Sequence, residues 1–536
     1  MTITGKIIDV HTNSIYNGKL TIEGEIISKI QSTTETVTDQ YILPGFVDAH
    51  VHIESSMLVP TEFARLAIVH GTVATVSDPH EIGNVLGVAG VEYMIENAKN
   101  SPFKFYFGAP SCVPATDFET AGATITPDDV EYLMKKDDIK YLAEMMNWPG
   151  VLSDDKIVLQ KIEIAQRYHK PVDGHAPGLM GEQAQKYISA GISTDHECFS
   201  YEEGLGKLEL GMKVLIREGS AAKNFDALVN LIPDHYRNMM FCSDDKHPDS
   251  LVEGHINSLI KRALDKNIDL FKILKMACVN PVLHYNLDVG LLKVGDKADF
   301  VIIDNPNDFN ILQTYIDGTM VSERGTTKLK SKPSHHPNQF NISEISIDEL
   351  QVSSSSKTIP VIKVIDGELI TKRLDLVPKI ENGLLSTDID RDILKIVVVN
   401  RYHKAAPAIG FIHNFGFNKG AIASSVGHDS HNIIAVGVDD ISICKAVNLI
   451  IKNKGGICAV HTSSEKIIPL PIAGLMTDGD GYQIAEDYIQ LDAMAKDMGS
   501  TLISPFMSLS FMALLVIPSI KISDKGMFDG EKFEFI

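Results

Sequence analysis

Between residues 44 and 285, eight short apolar runs are separated by helix-like stretches, and several of the runs end in a histidine or a carboxylate. The runs are FVDAHVH, TVATVSD, KFYFGAP, KYLAEMMN, KPVDGHAP, ISTDHEC, KVLIREGS and MMFCSDD, with segments such as EYLMKKDD and KIVLQKIEIAQRYHK between them. Strand and helix alternating in this way is the pattern of βα units in a parallel sheet. Eight units in roughly 240 residues is the size of a closed (β/α)8 TIM-like barrel. A chain of 536 residues is too long for one compact core, so two to four domains are expected.

The flanks supply the rest. From Gly5 to Ile30, alternating apolar runs broken by Asn-Gly and Glu-Gly read as a β-meander. A matching stretch, GLLKVGDKADFVIIDN, spans Gly290 to Asn305, with a further strand near Thr319 to Val321. Residues 1–43 and 286–345 are therefore expected to form one small composite β-sandwich domain around the barrel of residues 44–285. Residues 322–358 are rich in Ser, Lys, Thr and Pro (ERGTTKLKSKPSHHP, then VSSSSK) and read as a linker or exposed crossover, with His335 and His336 solvated. Residues 359–536 carry their own strands (IVVVNRY, IAVGV, GICAVH) and helices, as an additional C-terminal α/β domain.

Charge and cysteine usage narrow the function classes. The formal net charge is −21 and the pI about 5.3, which leaves no basic footprint for nucleic acid or anionic lipid. A neutral base remains admissible as a substrate. The six cysteines, Cys112, Cys198, Cys242, Cys278, Cys444 and Cys458, are scattered without a CxxC, as expected of reduced thiols in a cytosol. The N-terminus has no basic segment followed by an apolar stretch. The apolar segment from Phe506 to Ile517 ends at Pro518 and is shorter than the roughly 20 residues a membrane span needs. It reads as core, and the protein as cytoplasmic with no membrane partner. A homodimer is compatible with this architecture, but no residue argues for it.

Such barrels place their chemistry at the carboxyl ends of the strands. The first run ends in His50-Val51-His52, and alternation sends both imidazoles to one face. The fourth run carries Glu144, the fifth His175, the sixth His196 and the eighth Asp244. Taken singly, each has a bland reading as an incidental or satisfied core residue. Together, four imidazoles and two carboxylates at one end of a barrel are enough for two divalent ions with one carboxylate between them. A mixed N/O set suits Mn²⁺, Fe²⁺ or Zn²⁺ better than Mg²⁺ or Ca²⁺. Such ions lower the pKa of a shared water, and Asp244 beside it is placed to take its proton and pass it to a leaving group.

At these residues the sequence resembles a known family. LPGFVDAHVHIES is similar to the first-strand signature of the amidohydrolase superfamily, and GLLKVGDKADFVIID to its return into the small sheet domain. The segments VHIESSM, VSDPHEIGNV, CSDDKHPD and VGHDSHNIIAVGV narrow the resemblance to the bacterial adenine deaminases, over essentially the whole chain. The resemblance implies a two-metal centre, commonly iron or manganese, and hydrolysis of adenine to hypoxanthine and ammonia, a purine-salvage reaction. It implies His50, His52, His175 and His196 as ligands, Glu144 as the bridge, and Asp244 as ligand and proton shuttle. Single-metal deaminases of the superfamily usually carry an HxxE on the fifth strand, whereas here the segment is His175-Ala176-Pro177-Gly178. That leaves the acid for the ring nitrogen open. Glu81 is the candidate and Glu197 the rival, although adjacency to His196 should turn Glu197 away along an ideal strand.

His80, Arg217, Glu218, Ser220 and, in the third domain, His428 are candidate base-recognition groups. His80 and Glu81 have an alternative reading as a helix-start turn after Asp78-Pro79. Asp245 and His247 read either as partners of the ligands or as an extra metal site. The polar loop Gly427 to His431 reads as a solvated turn by itself and, given the resemblance, as a lid. Two other functions fit less well. A cyclic-amide hydrolase of the dihydropyrimidinase or allantoinase type would carry a carboxylated lysine where Glu144 stands, and a non-catalytic scaffold would have lost ligands.

Overall fold

The computed structural model describes residues 1–353, 356–462 and 464–536, so Ser354 and Ser355 of the VSSSSK run lie outside the described residues. All eight expected barrel strands form, at Phe46–His52, Thr72–Ser77, Lys104–Ala109, Ile139–Met145, Val172–Gly174, Thr194–Asp195, Lys213–Arg217 and Met239–Cys242. The first five pair in parallel in chain order, as do the last three. A bridge between Val172 and Ile192 joins the two sets. The ring closes where Asp244 and Asp245 pair with Val51 and His52. Every residue of the first strand and of Met239–Cys242 is buried, as a strand enclosed on both faces requires.

Between Cys242 and Asp245 the backbone bends, and Asp244 adopts φ of 53°, a left-handed conformation that aspartate tolerates better than most residues. The bend is pinned by Asp48 on the first strand, which accepts from the Ser243 amide at 3.0 Å, bonds to the Ser243 hydroxyl, and contacts His255 Nε2 at 2.8 Å. A buried carboxylate two residues before His50 thus fixes where Asp244 projects.

Strands from both ends of the chain join in one eight-stranded sheet. Thr2–Asp9, Ser14–Glu23, Ile26–Ser32 and Tyr41–Pro44 continue through Phe300–Ile303, Ile311–Ile316, Thr319–Glu323 and Thr326–Thr327. Its own apolar cluster includes Ile7, Leu20, Ile22, Phe300, Ile302 and Tyr315. The third region is a second eight-stranded, largely antiparallel sheet covered by helices at Asp440–Asn453, Gly481–Asp497 and Pro505–Phe511. The third region shares an apolar core with the barrel, with Phe506, Leu509 and Met512 in the same cluster as Val51 and Val76. The run from Phe506 is therefore core, and among the described residues no helix is long and apolar enough to cross a membrane.

A buried ion network supports the strand ends. Lys207 Nζ contacts Asp195 Oδ2 at 2.5 Å, Glu203 Oε1 at 2.7 Å and the Ala176 carbonyl at 2.7 Å. Asp195 in turn accepts from the amides of Ala176 and Glu197 at 3.2 and 3.1 Å, which ties the loops carrying His175 and His196 together. Burial pushes the Asp195 carboxyl up, but the Lys207 ammonium more than reverses this and holds it well below the usual range. Removing one partner of a buried pair strands the other charge. Lys207→Met is therefore expected to destabilise the fold by about 3–5 kcal/mol, read by denaturant unfolding. A depressed carboxyl contributes stability above its unfolded pKa and loses it as pH falls. The Lys207→Met deficit should accordingly shrink in acid; a deficit that grows on acidification would contradict the assignment.

Candidate metal centre and active site

The six strand-end residues converge. His50 Nε2 and His52 Nε2 lie 3.1 Å apart, as their shared face requires. Asp244 Oδ1 is 3.2 Å from His52 Nε2, 3.6 Å from His50 Nε2 and 4.0 Å from His196 Nε2. Glu144 turns its two oxygens to different partners. Oε1 faces His52 at 3.4 Å, and Oε2 faces His175 at 2.8 Å and His196 at 3.2 Å. All six side chains are buried.

Burial alone would neutralise these carboxyls, and it does not. The His175 charge and hydrogen bonds from His175, His196 and His52 hold Glu144 well below its ordinary pKa. Asp244 is likewise pushed up by burial, yet the Arg217 guanidinium, then His50 and His52, hold it well below. The His196 imidazole is pulled down by burial, but Glu144 and Asp244 outweigh this and raise it to about 9. The cluster thus concentrates anionic oxygens and imidazoles in one buried volume, where cations would replace protons.

The residues fit divalent ions. His50, His196 and Asp244 offer ligand atoms within 4.8 Å of one another, as do Glu144, His175 and His196. His175 Nε2 and His50 Nδ1 are buried with no hydrogen-bond partner, an arrangement that costs energy unless another group satisfies them. The His52 ring is oriented from behind, its Nδ1 lying 3.2 Å from the Asp78 carbonyl.

His80 joins the same volume, with Nδ1 3.2 Å from Asp78 Oδ1 and 3.6 Å from Glu144 Oε1. His80 and Glu81 begin a helix, His80–Leu86, as the helix-start reading expects, and that helix start also lines the pocket. Glu81 is buried, with one oxygen against His428 Nδ1 and the other against His431 Nε2, both from the third region. Burial would raise it, but His428, His431 and His80 hold it well below its ordinary pKa. His428 itself, lowered by burial and raised more strongly by Glu81, sits at about 9. The loop at residues 427–431 is therefore part of the pocket wall rather than a solvated turn.

Glu197 corrects the expectation from alternation. The sixth strand is only Thr194–Asp195, so residues 196 and 197 lie beyond its pleat. Glu197 Oε1 then faces inward, 3.5 Å from His196 Nε2 and 3.6 Å from His175 Nδ1, and pairs with Arg217 Nη1. Arg217 lines the pocket, but its Nη1 also contacts Asp244 Oδ2 at 2.9 Å, so its guanidinium is engaged in holding two carboxylates. Glu218 and Ser220 are not brought to the pocket. The chain turns away after Arg217, leaving Glu218 paired with Arg262 at 2.6 Å and Ser220 Oγ 2.9 Å from Ser250 Oγ. Asp245 lines the pocket and accepts from Ser55 Oγ at 2.5 Å, while His247 is tied to Tyr488 Oη at 2.6 Å and kept neutral by burial, its pKa down at about 3.

The cavity over the cluster measures about 20 Å³, room for roughly one water. Met146, Leu369, Phe511 and Leu514 form its apolar wall beside Asp429 and His428, and Phe511 lies 5.3 Å from the His428 ring. Sequence reasoning missed Leu369, Phe511 and Leu514, and within the loop at residues 427–431 it singled out His428 but neither Asp429 nor His431.

The amidohydrolase family matches residues 41–321, and the adenine deaminase C-terminal domain matches residues 368–534. An adenine deaminase of Sulfurovum sp. is 54% identical over 537 residues, covering 100% of this chain and 99% of the relative. One from Methanosarcina mazei is 52% identical, covering 99% and 98%, and one from Salinibacter ruber is 49% identical, covering 100% and 98%. Among solved structures, a beta-aspartyl dipeptidase from Fervidobacterium islandicum aligns with a TM-score of 0.46 at 15% identity, covering 61% of this chain and 99% of that one.

Proposed function

From the premise that the chain belongs to the adenine deaminases of the amidohydrolase family, we propose that its buried cluster holds two divalent ions, Mn²⁺ or Fe²⁺ in preference to Zn²⁺, and that Asp244 and Glu81 move the protons of the reaction. The reaction is adenine plus water giving hypoxanthine plus ammonia. The observation that carries the two-ion reading is Glu144, whose two oxygens face different imidazoles. His50, His52, His175, His196, Glu144 and Asp244 would be the ligands. Ions held there supply a water acidic enough to be a hydroxide near neutral pH and polarise the carbon it attacks.

The chain's own residues do the rest. Arg217 keeps Asp244 ionised and oriented, so that its carboxylate can accept a proton from the attacking water. Attack at C6 of the base pushes electrons onto the neighbouring ring nitrogen, which needs a proton. Glu81 faces the pocket against His428, whose imidazole it raises to about 9, so the proton carried by His428 reaches the ring nitrogen through Glu81. Asp244 then passes its proton to the amino group and ammonia leaves, while the proton remaining on the new C6 oxygen returns to the Glu81–His428 pair as the carbonyl forms. Met146, Leu369, Phe511 and Leu514 must give way to admit a purine and then exclude bulk water.

Metal-loaded protein given adenine is expected to release hypoxanthine and ammonia in equal amounts. Turnover of a cyclic amide with none of adenine would overturn the reading. His50→Ala is expected to lose at least half of the bound metal by elemental analysis, and a fully loaded variant would remove His50 from the ligand set.

A further inference from the structure

Glu218, which the catalytic pocket does not use, lines a second cavity of about 350 Å³ between the loops after the seventh and eighth barrel strands and the helices Pro248–Glu253 and Ile256–Asp265, and Ser220 bonds to its wall residue Ser250. Its walls include Glu218, Lys223, Lys246, Ser250, Ser258 and Arg262. Gly219 separates it from the active site. A Cβ there would stand 2.7 Å from the carbonyl of Asp245, whose side chain lines the catalytic pocket.

The charges in this cavity are unequally matched. Arg262 is paired with Glu218 at 2.6 Å and Asp226 at 3.2 Å and lies 4.0 Å from the Phe225 ring. Among the described residues, Lys223 and Lys246 have neither a hydrogen bond nor an ion pair. Three cationic side chains, Lys223, Lys246 and Arg262, line the cavity against the two carboxylates of Glu218 and Glu253, so its wall keeps an excess of positive charge; Lys223 and Lys246 repel each other, and the half-buried Lys246 loses hydration with no hydrogen bond to replace it. An anion between them removes both costs. The loops after strands seven and eight are also where barrels of this kind frequently bind phosphate. The adenine ring is uncharged and has no use for two ammonium groups, so the feature is independent of the deamination reaction.

We propose that this cavity binds the phosphate group of a small phosphorylated metabolite, with Lys246 and Lys223 as its cationic contacts and the Ser250 and Ser258 hydroxyls as further donors. A volume of 350 Å³ leaves space beyond the phosphate for a sugar, and the Glu218 and Glu253 carboxylates at the wall can accept from its hydroxyls. A second phosphate beside those carboxylates would be repelled, so a monoester fits better than a polyphosphate.

The test is calorimetric titration of the metal-loaded, full-length protein with ribose 5-phosphate and, separately, with inorganic phosphate, at low ionic strength. One site per chain is expected, weakened about tenfold or more by Lys246→Met and severalfold by Lys223→Met, with adenine turnover in the absence of ligand unchanged in both. Tighter binding of the sugar phosphate would identify an esterified ligand, and equal binding the free ion. Lys223 is exposed, so its substitution tests the site even if Lys246→Met fails to fold. Failure of both probes to bind at about 10 mM would overturn the proposal. Binding that survives both substitutions and competes with adenine would do so too, because it would place phosphate at the metal centre.

Discussion

Asp244→Asn is expected to lower kcat by about 10²–10⁴-fold while most of the metal stays bound. The side chain keeps its shape and one oxygen, so contacts to His50 and His52 can persist. What is lost is a basic oxygen beside the attacking water. Asp244 is suited to that duty because Arg217 and the imidazoles keep it ionised despite complete burial. Its position is fixed by the left-handed bend at φ of 53° and by Asp48 gripping Ser243, so a substitution at 244 leaves the scaffold intact. Unchanged kcat in a folded, metal-loaded Asp244→Asn protein would remove Asp244 from the proton pathway. Loss of metal in proportion to activity would reduce it to a ligand.

Glu81→Gln is the second large effect, with kcat falling about 100-fold or more and metal content unchanged. The carboxylate is clasped by two imidazoles from the third region, His428 and His431. The amide cannot relay the His428 proton to the ring nitrogen of the substrate, and it removes the charge that raises His428. Because the clasp comes from residues 428 and 431, the third region forms part of the wall of the site. His428→Ala should therefore also lower kcat with little change in metal content. A normal kcat in Glu81→Gln together with a large loss in Glu197→Gln would transfer the acid role to Glu197, which also lines the pocket.

The barrel was legible because each strand pairs a β-branched or aromatic run with a polar residue just past its end. That pattern located His50, His52, Glu144, His175, His196 and Asp244 one strand at a time, and the structure brings them within a few ångströms of one another. What the pattern could not convey is where each strand stops. Glu197 was expected to point away because alternation was extended beyond Asp195, whereas the Lys207 network bends the chain there. Glu218 and Ser220 follow Arg217 in sequence but turn away from it, since the Gly219 amide closes a tight turn onto the Ala222 carbonyl at 3.1 Å. The wall contributed by Leu369, Phe511 and Leu514 had no sequence signal at all. Apolar side chains over a pocket and apolar side chains in a core look the same along a chain. Only the polar run His428-Asp429-Ser430-His431 hinted that the third region reaches the chemistry, and the resemblance was needed to read it so.

The central claim, a two-ion hydrolytic centre for adenine, is tested most directly by ammonia release from adenine as metal-free protein is titrated with Mn²⁺. The expected result is activity that rises to saturation near two equivalents, because Glu144 turns its two oxygens to different imidazoles. Saturation near one equivalent, or turnover by the metal-free protein, would contradict it.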